Sequence, residues 1–434
     1  MSAHARELDY ADGRAFALAE DARDPLAGFR DAFNFPAERG GYSPVYLCGN
    51  SLGLQPKSAR SLVVDELDVW ADLAVDGHFR AERPWWRYHE GCTAGFSSLT
   101  GAAPEEVTAM NTLTVNLHLL MASFFKPTPE RYRIIIEEGA FPSDRYAAAS
   151  QLRFHGFDPG DGLLEWQPRP DGRFSVDDLA ALLDRHGDSV ALLLLPGIQY
   201  LNGQLLDMGA ICELGRAHGA KVGLDLAHAI GNVEIRLDDW SPDFASWCTY
   251  KYLNAGPGAV AGAFVAGRHL NSADTGQLHG WWGNRAETRF RMARDFDPAP
   301  GVDVWQLSNP PILSLAPVIA SLELFLEAGA ERLRDKSRRL TGYLAWLIER
   351  RFGDRLRILT PPDARGAQLS LVVSADNIEP RAVFDKLVSR NVTGDWREPN
   401  VIRLAPVPLY NSFADVYELA ERLEAVFAEL EAAA

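Results

Sequence analysis

The feature that most constrains the fold is a regular alternation of short apolar runs with amphipathic stretches between residues 132 and 266. Strands are expected at 132–137, 190–195, 221–226, 245–250 and 260–266, and helices near 143–155 and 207–218. Parallel strands need crossover connections, and helices supply them. The alternation therefore predicts a doubly wound α/β domain with a mostly parallel sheet.

The pattern of predicted helices and strands divides the whole chain into three parts. We expect an N-terminal helical arm and the start of a small domain at 1–55, the large α/β domain at 56–312, and a smaller C-terminal α+β domain at 313–434. Long helices are expected at 314–328 and 330–351, and strands near 369–374 and 401–405. The last helix begins at Ser412 with Asp415 three residues on, a pattern like a capping box.

Charge and composition exclude several classes of function. The 434 residues carry 59 acidic against 43 basic side chains, a formal charge of -16, which argues against a binder of nucleic acid or anionic membranes. The acidic N-terminus lacks the apolar core of a signal peptide, and no later run approaches the ~20 apolar residues of a membrane span, so we expect a cytoplasmic protein.

No CxxC pair occurs, so no metal is expected. The cysteines are Cys48, Cys92, Cys212 and Cys248.

Two side chains with complementary chemistry follow neighbouring predicted strands. Asp225 ends the strand at 221–226, and Lys251 follows the next apolar run, just before a Gly/Pro-rich turn. The carboxyl ends of parallel strands form the rim where ligands bind. A lysine amine that forms a Schiff base, with an aspartate that keeps a pyridine nitrogen protonated, suits pyridoxal phosphate. From spacing alone, an ordinary ion pair or a surface lysine is the alternative.

Neighbouring residues extend this hypothesis. His228 can hydrogen-bond the cofactor ring or its aspartate, and the Tyr250 hydroxyl can reach the phosphate, although either can be structural. A helix is expected to begin near Leu113 and Thr114, where free N–H groups bind an anion; a simple capping role for Thr112 or Thr114 fits equally well.

FPSD at 141–144 follows the first strand of the sheet. Phe141 can stack on a pyridine ring, and Asp144 can orient a ring substituent, although an aromatic at a strand end is more often part of the core. All these elements end at the same predicted rim of the sheet.

Long motifs in this chain resemble the kynureninase family. They are YLCGNSLGLQP at 46–56, MNTLTVNLHLLMASFFKPT at 110–128, FPSD, GLDLAHAIGNVE at 223–234, TYKYLNAGPG at 249–258, GWWGN at 280–284, SNPPI at 308–312 and RLAPVPLYNSF at 403–413. The resemblance implies the aminotransferase-like fold of pyridoxal-phosphate enzymes (fold type I). It also implies hydrolysis of L-kynurenine to anthranilate and L-alanine, a homodimer with composite active sites, and a place in tryptophan catabolism through the kynurenine pathway and in NAD biosynthesis.

The resemblance also assigns residues to the site. It implies Lys251, Asp225 and Tyr250 as catalytic residues, with Tyr250 as a proton relay. The implied cofactor-binding residues are Leu113, Thr114, Phe141, Pro142, Ser143, Asp144, Asp225, His228, Tyr250, Lys251, Trp281 and Asn309, with Tyr250 and Trp281 at the phosphate. The implied substrate-binding residues are Ser51, His78, Asn284, Ser308 and Arg403, with Arg403 clamping the substrate carboxylate as a planar two-pronged donor.

Two positions depart from the family pattern. Asn284 stands where the family commonly has histidine, which leaves open the preference between kynurenine and 3-hydroxykynurenine. Pro196 stands where some members carry a small hydroxyl residue, and it removes a side-chain donor and an N–H.

Two alternatives to this interpretation stay open. One is another enzyme of the same fold, such as an aminotransferase-like protein or a cysteine desulfurase, for which Cys248 is badly placed. The other is a non-catalytic binding protein with this fold.

Overall fold

The computed structural model describes residues 9–270, 276–375 and 377–433. The helices are α1 (Arg14–Ala22), α2 (Lys57–Leu73), α3 (Gly77–Arg80), α4 (Thr93–Thr100), α5 (Leu113–Phe124), α6 (Pro142–Phe154), α7 (Pro159–Gly162), α8 (Val176–His186), α9 (Met208–Ala217), α10 (Leu237–Trp240), α11 (Ile312–Ala328), α12 (Ala330–Phe352), α13 (Pro380–Ser389) and α14 (Phe413–Ala433). The strands are β1 (Phe33–Asn34), β2 (Val45–Tyr46), β3 (Gln55–Pro56), β4 (Val107–Ala109), β5 (Arg133–Glu137), β6 (Leu163–Trp166), β7 (Val190–Pro196), β8 (Lys221–Asp225), β9 (Phe244–Trp247), β10 (Gly262–Val265), β11 (Leu356–Ile358), β12 (Leu369–Val373), β13 (Val392–Thr393), β14 (Asp395–Arg397) and β15 (Val401–Leu404).

The described residues form two compact units. One comprises Met1–Gln55, Leu201–Gly203 and Ala328–Ala434, and the other comprises Pro56–Tyr200 and Gln204–Glu327. The predicted domain division at 1–55, 56–312 and 313–434 stays a prediction. Residues 1–8 of the predicted helical arm lie outside the described residues; the arm otherwise contains α1 and the 3-10 helix Ala27–Ala32.

The larger unit contains a sheet of seven strands within the described residues, in the order β4-β10-β9-β8-β7-β5-β6. Neighbours from β6 to β9 are parallel, whereas β10 runs antiparallel to both β9 and β4. Crossover helices such as α6 and α9 connect the parallel strands. The prediction of a doubly wound, mostly parallel α/β sheet is confirmed.

The central strands are apolar because both faces of the sheet are covered. Every residue of β7, VALLLLP, is buried. Residues of α5 and α6, including Leu117, Met121 and Leu152, share a core with Ile134 and Leu192 of the sheet. Continuous aliphatic runs are typical of parallel strands buried in this way.

One strand ends earlier than the sequence predicts. The run at 245–250 was expected to be a strand throughout, but β9 ends at Trp247. The Thr249 hydroxyl donates to the carbonyl of Val260, and the Thr249 carbonyl accepts from Ala255 N–H, so the chain turns where propensity alone favours extension. Tyr250 and Lys251 therefore lie in a turn.

The smaller unit contains an antiparallel sheet in the order β11-β12-β15-β14, with a core shared by α12, α13 and α14. The predicted capping box is confirmed: Asp415 N–H donates to Ser412 Oγ (3.0 Å), and Ser412 N–H donates to Asp415 Oδ2 (3.1 Å). Among the described residues, no single helix is long and apolar enough to cross a membrane; α11 and α12 meet that criterion only when taken together.

Candidate active site

Three neighbouring parallel strands end side by side at one edge of the large sheet. β5, β7 and β8 are adjacent, and they end at Glu137, Pro196 and Asp225. Pro196 and Asp225 are register partners. Since Lys251 follows β9 by only four residues, the fold brings these groups to the same rim.

A cavity of about 170 Å³ lies at this rim, within the larger unit. Its lining residues are Thr112, Leu113, Thr114, Glu137, Phe141, Ser143, Asp144, Pro196, Ile198, Tyr200, Asp225, Ala227, His228, Tyr250 and Lys251. The structure thus brings together all the residues that the strand-end argument selected. Pro142 is the first residue of α6, between two lining residues.

The amine of Lys251 contacts an imidazole. Its Nζ lies 2.9 Å from His228 Nε2, and it lies 5.9 Å and 6.0 Å from the ring centroids of Phe141 and Tyr250. Among the described residues, no carboxylate oxygen is within ion-pair distance of this nitrogen. The ordinary ion pair considered from the sequence is therefore not what the described residues form.

Three buried carboxyl groups line the same cavity. Asp225 accepts from Ala227 N–H at 2.7 Å. Burial raises the pKa of Asp144 well above its usual range, and the neighbouring Asp225 raises it further. Burial, with a smaller contribution from Asp225, raises the pKa of Glu137 to about 8. A cavity with crowded acidic groups favours a cationic ligand atom, which relieves their mutual repulsion.

The beginning of α5 offers the opposite chemistry. Thr112 occupies the N-cap position, but its side chain makes no capping hydrogen bond. The first N–H groups of the helix have no intrahelical acceptor, and the helix dipole adds partial positive charge there. The Thr114 hydroxyl lies 2.7 Å from the Ser143 hydroxyl of α6. Two hydroxyls and a helix N-terminus can together hold an anion.

Sequence reasoning missed four lining residues. Glu137 was placed at the end of the first strand but not in the site, and Ala227 was passed over between Asp225 and His228. Ile198 and Tyr200 follow β7, and the Tyr200 ring lies 5.3 Å from that of Phe141. Their position just after strands of one rim was the signal that could have identified them.

Other residues that the resemblance assigned do not line this cavity. In the larger unit, the His78 ring packs at 5.3 Å from Trp85, and Trp281 Nε1 donates to the carbonyl of Arg289. Asn284 Oδ1 accepts from Asp297 N–H at 2.9 Å. Ser308 and Asn309 are exposed.

Two assigned residues belong to the smaller unit. Ser51 N–H donates to the carbonyl of Cys48 at 2.9 Å. Arg403, on β15, is 1% exposed and pairs with Asp395, which also pairs with Arg397 at 3.0 Å.

Comparisons with known proteins agree with the resemblance. A family model for the kynureninase C-terminal domain matches residues 333–423. The kynureninase of Xanthomonas campestris pv. campestris is 55% identical over 414 residues, covering 95% of this chain and 97% of that protein. The kynureninase of Xanthomonas euvesicatoria pv. vesicatoria is 54% identical over 415 residues, covering 95% and 98%.

Solved structures with the same fold are more distant in sequence. The cysteine desulfurase CsdA of Escherichia coli has a TM-score of 0.75 at 15% identity, covering 93% of this chain and 98% of that one. The cystine C-S lyase C-DES has a TM-score of 0.73 at 15% identity, covering 88% and 97%. A mutant of C-DES was solved with glycine covalently linked to its PLP cofactor. At this identity the likeness concerns the fold, and it confirms the predicted fold type.

Proposed function

Since the chain belongs to the kynureninase family, we propose that it binds pyridoxal 5'-phosphate and hydrolyses L-kynurenine to anthranilate and L-alanine. The observation that carries the proposal is one cavity that combines the Lys251 amine, the Asp225 carboxyl and an uncapped helix N-terminus. These three groups match the aldehyde, the ring nitrogen and the phosphate of this cofactor.

The residues of the cavity fit the cofactor. Asp144 Oδ1 is buried and accepts no hydrogen bond from any described residue. A buried oxygen without a partner is costly, and a protonated pyridine nitrogen supplies positive charge among Asp144, Asp225 and Glu137. The N-terminus of α5, with Thr114 and Ser143, supplies N–H and O–H donors for a phosphate.

When bound, the cofactor acts as an electron sink that stabilises negative charge on the carbon atoms of the substrate. Asp225, at the end of β8, would stabilise the positive charge on the ring nitrogen of the cofactor. Lys251 Nζ would hold the aldehyde group of the cofactor, and as a free amine it would take the proton from Cα of the substrate. His228, 2.9 Å from that nitrogen, holds the amine in position.

Tyr250 provides the protons that the later steps need. Burial raises the pKa of its phenol above the ordinary value, so the hydroxyl keeps its proton at neutral pH. Water supplies a hydroxyl to the substrate carbonyl carbon, and the Cβ–Cγ bond breaks with its electron pair left on Cβ. Protonation of Cβ, with the proton that water leaves behind, and return of the proton from Lys251 to Cα then give L-alanine, and anthranilate accounts for the remaining atoms of kynurenine and water.

Arg403 holds the carboxylate of the substrate. Its guanidinium is buried and already pairs with Asp395, so the strand neighbours fix its plane. A planar donor suits a carboxylate. Ser51, His78, Asn284 and Ser308 surround the rest of the substrate, and Trp281 and Asn309 complete the cofactor site.

The protein acts as a homodimer with composite sites, in the cytoplasm. An exposed aromatic row in the larger unit supports the dimer: Phe79 and Phe290 lie 5.5 Å apart, and Phe290 lies 5.4 Å from Trp281. His78 lies 6.2 Å from Phe79. Because His78 and Trp281 do not line the cavity of their own chain, a second copy that covers this row brings them to its site. Phe79→Glu is expected to give monomers, measured by light scattering, and to reduce turnover of L-kynurenine. Dimers as stable as those of the unmodified protein would contradict this interface.

The test is a comparison of substrates on the cofactor-loaded protein. We expect anthranilate fluorescence on addition of L-kynurenine and no sulfide or alanine from L-cysteine. A desulfurase needs a mobile nucleophilic cysteine, whereas Cys248 is 2% exposed and burial raises its thiol pKa. Alanine from cysteine without anthranilate from kynurenine would favour the desulfurase alternative, and cofactor binding without either product would favour the binding protein.

A further inference from the structure

A buried arginine lies inside the loop that carries Trp281 and Asn284. Arg289, in the 3-10 helix Arg289–Arg291, is 6% exposed. Among the described residues no carboxylate lies within ion-pair distance of it, and its Nε and Nη1 make no hydrogen bond. Asp303 and Glu287 act on it through longer-range charge interactions alone, and burial lowers its pKa below the ordinary value. Burying an unpaired guanidinium is costly, so the contacts that it does make need an explanation.

The hydrogen bonds of the guanidinium go to the GWWGN turn at 280–284. Arg289 Nη2 donates to the carbonyl of Trp282 at 2.7 Å and to the carbonyl of Asn284 at 2.9 Å. The guanidinium carbon lies 4.1 Å from the centroid of the Trp282 ring. The Arg289 carbonyl accepts from Trp281 Nε1 at 3.2 Å. The side chain and the main-chain carbonyl of Arg289 therefore fix the turn at Trp281, Trp282 and Asn284.

The amide of Asn284 is also fixed in orientation. Its Oδ1 accepts from Asp297 N–H, so the amide cannot be flipped without losing that bond. No described residue accepts from its Nδ2. The side chain therefore presents N–H groups and keeps its oxygen in the loop.

We propose that Arg289 is a positioning residue for aryl selectivity, which holds the Asn284 main chain so that the Asn284 amide presents a donor to the aromatic ring of the substrate. The inference rests on the proposed function, because it takes Asn284 to face that ring. The inference adds to the proposed function a residue, Arg289, that touches neither substrate nor cofactor and acts through the main chain of Asn284.

The experiment compares kcat/KM for kynurenine and for 3-hydroxykynurenine on the cofactor-loaded protein. The variants are Arg289→Met, Asn284→Ala and the double variant, with Arg291→Met as the matched control, since Arg291 is exposed two residues further on. Loss of charge-assisted bonds to the turn is expected to change the ratio of the two kcat/KM values about tenfold in Arg289→Met. The double variant is expected to show the ratio of Asn284→Ala, and Arg291→Met the ratio of the unmodified protein.

Two further measurements guard against a merely structural effect. Arg289→Lys keeps a buried charge near Trp282, but its shorter side chain cannot reach both carbonyls, so it is expected to change the ratio in the same direction even if Arg289→Met does not fold. Binding of anthranilate, measured by calorimetry, is expected to weaken in the same variants and not in Arg291→Met.

The outcomes separate the two proposals. A melting temperature that falls with an unchanged selectivity ratio would overturn the role of Arg289, as would changes that add independently in the double variant or an unchanged ratio in Asn284→Ala. Failure of the unmodified protein to cleave either kynurenine would instead overturn the proposed function.

Discussion

Glu137→Gln is the substitution that most sharply tests the electrostatics of the cavity. Glu137 ends β5, is 3% exposed, and lines the cavity beside Asp225 and Asp144. Burial raises its pKa from 4.5 to about 8, so the folded protein keeps this carboxyl neutral at pH 7 while the unfolded chain ionises it. Glutamine has nearly the same shape and cannot ionise.

The sign and size of the effect follow from proton linkage. Between the two pKa values the folded state binds one more proton than the unfolded state, so the free energy of unfolding falls as pH rises. The free energy of unfolding falls by about 1.4 kcal/mol for each pH unit, which amounts to roughly 4 kcal/mol between pH 5 and pH 8. This destabilisation is absent below the pKa of Glu137 in the unfolded chain and complete above its pKa in the folded protein. Glu137→Gln removes this slope.

The assay is urea unfolding of the cofactor-free protein at pH values from 5 to 8, with the unmodified protein and Glu138→Gln measured in parallel. Glu138 is the exposed neighbour and serves as the matched control. The stability of Glu137→Gln is expected to rise relative to both as pH increases, and an infrared band of a protonated carboxyl is expected to disappear. Parallel pH profiles for all three proteins would show that Glu137 is already ionised in the folded state and would refute the reasoning.

Three further substitutions test the groups of the site. Lys251→Ala is expected to abolish turnover and the visible absorbance of bound cofactor while circular dichroism stays unchanged; near-normal turnover would contradict the assignment. Asp225→Asn is expected to lower kcat about 100-fold or more with a small change in melting temperature, because a neutral amide cannot hold the ring charge; a small kinetic loss would make Asp225 structural. Thr114→Val is expected to weaken cofactor affinity about tenfold in titrations of the cofactor-free protein; an unchanged affinity would remove the hydroxyl from the phosphate site.

Periodicity and strand-end logic predicted most of the large sheet and the core of the site. The aliphatic runs of β5, β7 and β8 are buried on both faces, so their composition identifies them, and parallel strands must bring their carboxyl ends to one rim. Asp225 and Lys251 were found in this way. The early end of β9 was not, since hydrogen bonds of Thr249 to distant residues decide it.

Other features depend on contacts that a single sequence does not encode locally. The pKa of Glu137 depends on burial and on Asp225, which lies on another strand. The contacts of Arg289 with the 280–284 turn depend on how the loop folds back on itself. The places of His78, Trp281, Asn284 and Arg403 in the site came from the resemblance, and they stay predictions.

Hydrolysis of kynurenine in water labelled with heavy oxygen tests the central claim most directly. The cofactor-loaded protein is expected to release anthranilate and L-alanine in equal amounts, with one labelled oxygen in the anthranilate carboxylate and none in alanine, as measured by mass spectrometry. Products without the label, or no anthranilate from protein that has bound its cofactor through Lys251, would contradict hydrolytic Cβ–Cγ cleavage at this site.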